Sequence, residues 1–341
     1  MLSPFQDYHR THRELVAYFN GAIYSIFDVL CSMIPAMVPL NHHARTAINS
    51  HKALWPWRGD EATRHQANIK VYTGDTPSVL MMMAYLKEHL GGDLIGAYVH
   101  GSLGTGEEMP YSDFDALAII KDQVFEDENK VKYVGRKLSA AQSIMFDYDP
   151  LQHHGWFILT ENQLNAYPEW YFPVELFSQA KSLFSEQGRD LTLQVMGSRQ
   201  ECRDIFIGFS DAILQKIRKR AYPRNVYQLK SLLSAFMLLP ALYVQARDGK
   251  SVYKKDSFDR ARRDFLPAEW AVMNEVSTIR KSWTVNIPRA RRRLLAASHP
   301  VVRYLGMHFA PRVPSVILQH LTLGFYDRMS WLILAMRNKL V

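Results

Sequence analysis

Apolar residues at helical spacing, and unbroken apolar runs, divide the chain into three stretches. Up to residue 90 the pattern is mostly helical. Positions 15–40 read as a buried N-terminal helix, interrupted by Asn20, Asp28, Pro35 and Pro39. Those interruptions argue against a membrane span, which needs roughly 20 apolar residues in a row. A polar loop is expected over 51–66. Val79, Leu80, Met83, Leu86 and Leu90 predict a helix over 78–89, ended by Gly91 and Gly92. LIGAYV at 94–99 reads as the first strand. ALAII at 116–120 reads as the second, apolar on both faces and therefore buried. A helix over 129–141 should follow, then at least one strand within 143–159, either 144–149 or 154–159. The stretch 163–184 reads as partly helical. Beyond about 190 the pattern predicts helices over 203–220, 226–246, 258–265, 267–281 and 315–338. The apolar run 232–244 is broken by Pro240 and too short to span a membrane. The expectation is an α+β protein: a helical segment at 1–90, a small mixed sheet with flanking helices at 91–188, and a C-terminal helical domain at 189–341, with the boundary near 186–193.

Composition adds little to that picture, and charge adds more. The 341 residues are 48% hydrophobic and 22% charged, enough for a substantial core. The net charge is +8, and the stretch 276–326 holds no Asp or Glu but carries Arg280, Lys281, Arg289, Arg291, Arg292, Arg293, Arg303 and Arg312. A second basic cluster runs from Lys216 to Arg224. Such layouts suit a phosphate-bearing partner and equally suit solvated helix faces. Cys31 and Cys202 form no disulfide framework or zinc spacing and are expected as reduced thiols. A cytoplasmic protein without a leader or stable membrane insertion is expected.

Candidate chemistry concentrates in 100–120, HGSLGTGEEMPYSDFDALAII. Side chains alternate along an extended chain, so Asp113 and Asp115 share a face. Buried carboxylates side by side need a cation. Mg²⁺ takes oxygen ligands and typically combines one or two carboxylates with substrate phosphates. Gly101 and Ser102 directly follow a strand. There glycine permits close backbone approach, and the hydroxyl and N–H groups suit phosphate oxygens. A phosphate grip and a metal grip this close together are equipment for phosphoryl or nucleotidyl transfer.

Gly101-Ser102, Gly106 and Ser112-Asp113-Phe114-Asp115 ahead of an apolar strand resemble the signature of the DNA polymerase β-like nucleotidyltransferases. The resemblance covers roughly 94–120. It implies a nucleotidyltransferase core, nucleotide binding at Gly101 and Ser102, Mg²⁺ (or Mn²⁺) at Asp113 and Asp115, and an NTP co-substrate. Positions 227–243 and 253–258 are similar to the helical domain of antibiotic-modifying members. That similarity implies triphosphate contacts from Lys230 or Lys255, set against their being surface lysines. It also implies transfer of an NMP, from ATP or another NTP, to a small-molecule hydroxyl with release of pyrophosphate. Transfer to tRNA or protein, or nucleotide binding without catalysis, are the alternatives. The family places a third carboxylate on a neighbouring strand. Here Asp149 is preferred and Asp147 is the alternative if that strand is 144–149; His154 takes the place if it is 154–159. Imidazole is the poorer Mg²⁺ ligand. Asp147, His153 and Glu175 are candidates for the base that accepts the acceptor's proton.

Overall fold

The computed structural model describes residues 4–21, 40–54, 62–185, 190–196 and 199–340. Most of the expected 15–40 helix, part of the 51–66 loop, Cys31 and the start of the 186–193 boundary lie outside them. The architecture is α+β. The main sheet has five strands in the order β2 (Lys70–Val71), β7 (Lys181–Ser185), β3 (Leu94–Val99), β4 (Ala116–Ile120) and β5 (Phe157–Thr160). The β3 strand is antiparallel to both β4 and β7, whereas β4–β5 and β2–β7 are parallel, so the sheet is mixed. Every residue of β3 and β4 is buried, as their unbroken apolar runs require. A three-stranded sheet sets β8 (Asp190–Met196) between β1 (Ala62–Asn68) and β6 (Tyr167–Pro168).

Helices α1 (Pro4–Phe19), α2 (Leu40–Ala53), α3 (Pro77–Leu90) and α5 (Glu128–Tyr148) share one buried cluster with the main sheet. Asp127 caps α5 by accepting from the Asn129 N–H at 2.8 Å. Pro150 forces the preceding residue out of the helical region, and Asp149 is extended with φ −129° and ψ 100°. The helical layer comprises α7 (Arg199–Arg218), α8 (Val226–Phe236), α9 (Leu239–Asp248), α10 (Lys254–Arg262), α11 (Pro267–Lys281), α12 (Arg289–Leu295), α13 (Pro300–His308), α14 (Ser315–Leu318) and α15 (Leu323–Asn338). Its buried cluster takes in Tyr111 and Leu151 from the sheet side. The stretch Val226–Asp248 is long and apolar enough to span a membrane, but 67% of its most apolar window is buried inside the fold.

Several expectations need correcting. LIGAYV is not the first strand, because β1 and β2 precede it. Residues 62–66, expected as loop, belong to β1, which is paired along its whole length with β8. The 144–149 alternative is helix, since α5 runs on to Tyr148, and the strand is β5. The stretch 163–184 is helical in part, as expected, in the end of a 3₁₀ turn (Glu161–Leu164) and a five-residue α6 (Glu175–Gln179), and it also holds two strands. Position 190 opens a strand, and the helical layer starts at Arg199. Pro240 splits 226–246 into two helices, 315–338 is likewise two, and α12 and α13 were not foreseen.

Candidate active site

The site lies where β3 and β4 open toward the helical layer. The His100 N–H donates to the Asp115 carbonyl at 3.0 Å, so the β3–β4 pairing continues to the aspartates. Gly101 then turns with φ +62°. A Cβ there would meet Asp115 Oδ2 at 2.6 Å, so glycine makes room for the carboxylate as well as for the turn. Gly101 and Ser102 open the short helix α4 (Gly101–Thr105) beside Asp115.

Phe114, between the two aspartates, is clamped by Gln152. Its N–H donates to Gln152 Oε1 at 2.8 Å, and Gln152 Nε2 donates to its carbonyl at 3.1 Å. The side-chain amide thus imitates a neighbouring strand. Arg303 of α13 in turn donates to the carbonyls of Gln152 and Leu295, with its guanidinium over the Phe146 ring.

Asp113 and Asp149 share one ammonium. Lys230 of α8, fully buried, sits 2.8 Å from Asp113 Oδ1 and 2.6 Å from Asp149 Oδ2. Only the Asp149 contact has hydrogen-bonding geometry; Asp113 Oδ1 is buried without a hydrogen-bond donor. Tyr111 braces the lysine by donating to its carbonyl at 2.9 Å, and its ring centre lies 4.9 Å from the ammonium. One cation cannot fully offset two buried anions. Burial, with Asp113 adding, pushes the Asp149 carboxyl up to about 7 despite Lys230. Burial opposes the charge on Asp113 too, but Lys230 and His154 hold it below the usual carboxylate range.

Asp115 faces His154, with Nε2 to Oδ1 at 3.0 Å. Burial disfavours both charges, yet each stabilises the other. Asp115 is held well below the ordinary range, and His154 is raised to about 9. The His154 Nδ1 lies 3.0 Å from the Gly155 carbonyl. His153 is pushed down to about 4, by burial first and then by His154, and its Nδ1 is buried without a partner. Ligand atoms of Asp113, His153 and His154 lie within 4.8 Å of one another. Burial also lowers His100 to about 4; its Nε2 has no partner, and its nearest charge is Asp115.

Two further cations lie nearby, of which Lys254 acts on the acids. Burial, with Arg280 adding, lowers the Lys254 ammonium to about 8, and Asp115 and Asp113 draw it back up. The Arg280 guanidinium lies 4.7 Å from the Tyr111 ring centre, and its Nε is buried without a partner.

The structure therefore gathers Asp113, Asp115, Asp149, His153, His154, Gly101, Ser102 and Lys230. His154 precedes β5, the parallel neighbour of β4, which is the position that the 154–159 alternative assigned to it. Lys230 is committed to two carboxylates rather than facing open space. Lys255 is 67% exposed and paired with Glu107 at 2.6 Å, away from the acids. Asp147 and Glu175 are exposed. Asp147 lines a separate cleft of about 540 Å³ with Ser78, Ser143, Arg289, Arg292 and Arg293. The sequence reading missed Lys254, Arg280, Gln152 and His100. The first was one residue away from notice, and a helix turns by 100° per residue.

No protein-family model and no curated protein matches the chain. Among solved structures it is similar to spectinomycin adenyltransferase AAD(9) from Enterococcus faecialis, crystallised with ATP and spectinomycin. The identity is 12% and the TM-score 0.36, over 68% of this chain and 98% of that one.

Proposed function

We propose that the chain is a divalent-cation-dependent nucleotidyltransferase that moves an NMP from an NTP, ATP foremost, to the hydroxyl of a small molecule. The observation that carries this reading is the convergence of Asp113 and Asp115 beside the Gly101-Ser102 turn, with Lys254 close enough to act on both and Arg280 over the Tyr111 ring. The donor set fits a divalent cation: ligand atoms of Asp113, His153 and His154 lie within 4.8 Å of one another, and His153 Nδ1 is buried without a partner. When bound, such a cation offsets triphosphate charge and the charge that develops at the α-phosphorus.

The residues divide the remaining tasks. Ser102 and the backbone at Gly101 grip phosphate oxygens. Lys254 and Arg280 hold the triphosphate and the departing pyrophosphate. The acceptor oxygen forms its bond to the α-phosphorus as the α–β anhydride bond breaks, and pyrophosphate carries away the electron pair. The proton leaves the hydroxyl for water as the anhydride bond breaks, because His153, counted here among the cation's ligands, has no lone pair left to take it.

The test is pyrophosphate release from labelled NTPs with hydroxylated acceptors. Asp113→Asn and Asp115→Asn should each lower it by at least about a hundredfold, with the circular dichroism spectrum unchanged. Ser102→Ala should weaken nucleotide binding. Wild-type turnover in either Asp variant sinks the proposal. The Lys230 ammonium, lodged between two of the acids, favours a second reading as a nucleotide-binding protein without catalysis. Binding without pyrophosphate release under every cation and acceptor would select it.

A further inference from the structure

We propose that the cation at this site is a first-row transition ion, held by the Asp113 carboxylate and the imidazoles of His153 and His154, in preference to Mg²⁺. The inference rests on the nucleotidyl-transfer reading for its purpose but on local geometry for its content.

Mg²⁺ asks for oxygen ligands in near-octahedral array. The third acid that could complete such a set is already spent. Asp149 accepts from the Lys230 ammonium at 2.6 Å with one oxygen and from the Leu151 N–H at 3.1 Å with the other. Asp115 is engaged by His154 on Oδ1, and Oδ2 packs against Gly101. What the site offers instead is nitrogen. Ligand atoms of Asp113, His153 and His154 fall within 4.8 Å of one another, close enough to converge on one ion with small side-chain shifts. His153 Nδ1 is buried with no hydrogen-bond partner, a state that costs free energy unless a ligand relieves it, and Asp113 Oδ1 meets only the Lys230 ammonium, at 2.8 Å and outside hydrogen-bonding geometry. A third imidazole, His100, is 5% exposed with Nε2 equally unpartnered. Imidazole suits first-row transition ions such as Fe²⁺, Ni²⁺ or Zn²⁺ rather than Mg²⁺, and Mn²⁺, the weakest binder of that series, serves as the spectroscopic probe. An entering cation takes the place of the proton that His154 shares with Asp115.

The experiment uses the full chain and reads ligation rather than turnover. Mn²⁺ is added and the bound ion examined by pulsed electron paramagnetic resonance for coupling to ¹⁴N. Mg²⁺ is then titrated in competition. The expected results are imidazole ¹⁴N coupling and at least a tenfold preference for Mn²⁺. The coupling should fall in His153→Gln and again in His154→Gln. Bound Mn²⁺ without nitrogen coupling, equal affinity for Mg²⁺, or no bound ion overturns the inference. The wild-type spectrum decides even if a variant fails to fold. Transfer supported by Mg²⁺ without nitrogen ligation would sink this inference and leave the proposed function standing. Nitrogen-ligated Mn²⁺ with no transfer under any condition would do the reverse.

Discussion

Lys230 is a fully buried cation whose two anions, Asp113 and Asp149, are themselves almost buried. Breaking such a set by removing the cation strands both charges, at roughly 3–5 kcal/mol. Lys230→Met should therefore lose about that much stability in urea unfolding. Added Mn²⁺ should restore part of it, because a divalent ion supplies the missing charge, and the wild type should gain less. Gln152 presents a different case, since its side chain bonds only backbone, that of Phe114 on both sides and the His154 carbonyl at 3.0 Å. Gln152→Leu removes all three hydrogen bonds and lets the Asp113–Asp115 segment drift, together with the His154 backbone. Drift of this kind affects the transition state more than substrate binding, so kcat should drop at least about tenfold with a nearly constant KM for NTP. A change confined to KM would contradict the clamp. At this scale the Asp-x-Asp and Gly-Ser were legible because they are adjacent in the chain. Gln152 and Lys254 were not, because their roles depend on contacts across the fold.

Glu169 follows β6 and stitches that turn to the α9–α10 connection. Its carboxylate accepts from the Val174 N–H at 3.2 Å and bonds Ser251, and its carbonyl accepts from Gln245 of α9. Burial pushes the carboxyl up to about 7, against the pull of those hydrogen bonds. Between about 4.5 and 7 the folded chain keeps a proton that the unfolded chain has lost. Stability should therefore fall as pH rises through that window and level off above it. Glu169→Gln should flatten the slope, raising Tm by several degrees at pH 8 and by little at pH 4.5. An unchanged pH slope in thermal melts would refute this. The elements with a strong apolar pattern were readable from their own sequences, β3, β4 and α11 above all. The strands without one were not. ATRHQAN in β1 has no alternating pattern, and β8 alone makes it a strand. Ile144-Met145-Phe146 is an apolar run with no decisive period, and the cap at Asp127 and the stop at Pro150 make it helix.

The sheet carries the acids, and the helical layer completes them. Lys230 comes from α8, Lys254 from α10 and Arg280 from α11, while Arg303 of α13 secures the carbonyl of the residue that clamps Phe114. Tyr111, two residues before Asp113, is buried in the helical cluster rather than the sheet cluster. The basic character of the C-terminal stretch was visible in the sequence, but Arg303 read as one of eight surface charges. It is 6% exposed because two buried carbonyls need a donor. A site built across both layers cannot outlast either one. In urea, release of a fluorescent nucleotide analogue and loss of helical circular dichroism should share one midpoint in the wild type. Arg303→Met deprives two buried acceptors at about 2 kcal/mol or more. It should lower both midpoints together and lower kcat through Gln152. Nucleotide release from the wild type well before helix loss would mean that the sheet holds the ligand without the helices, and that the cations assigned here from α8, α10 and α11 do not reach it.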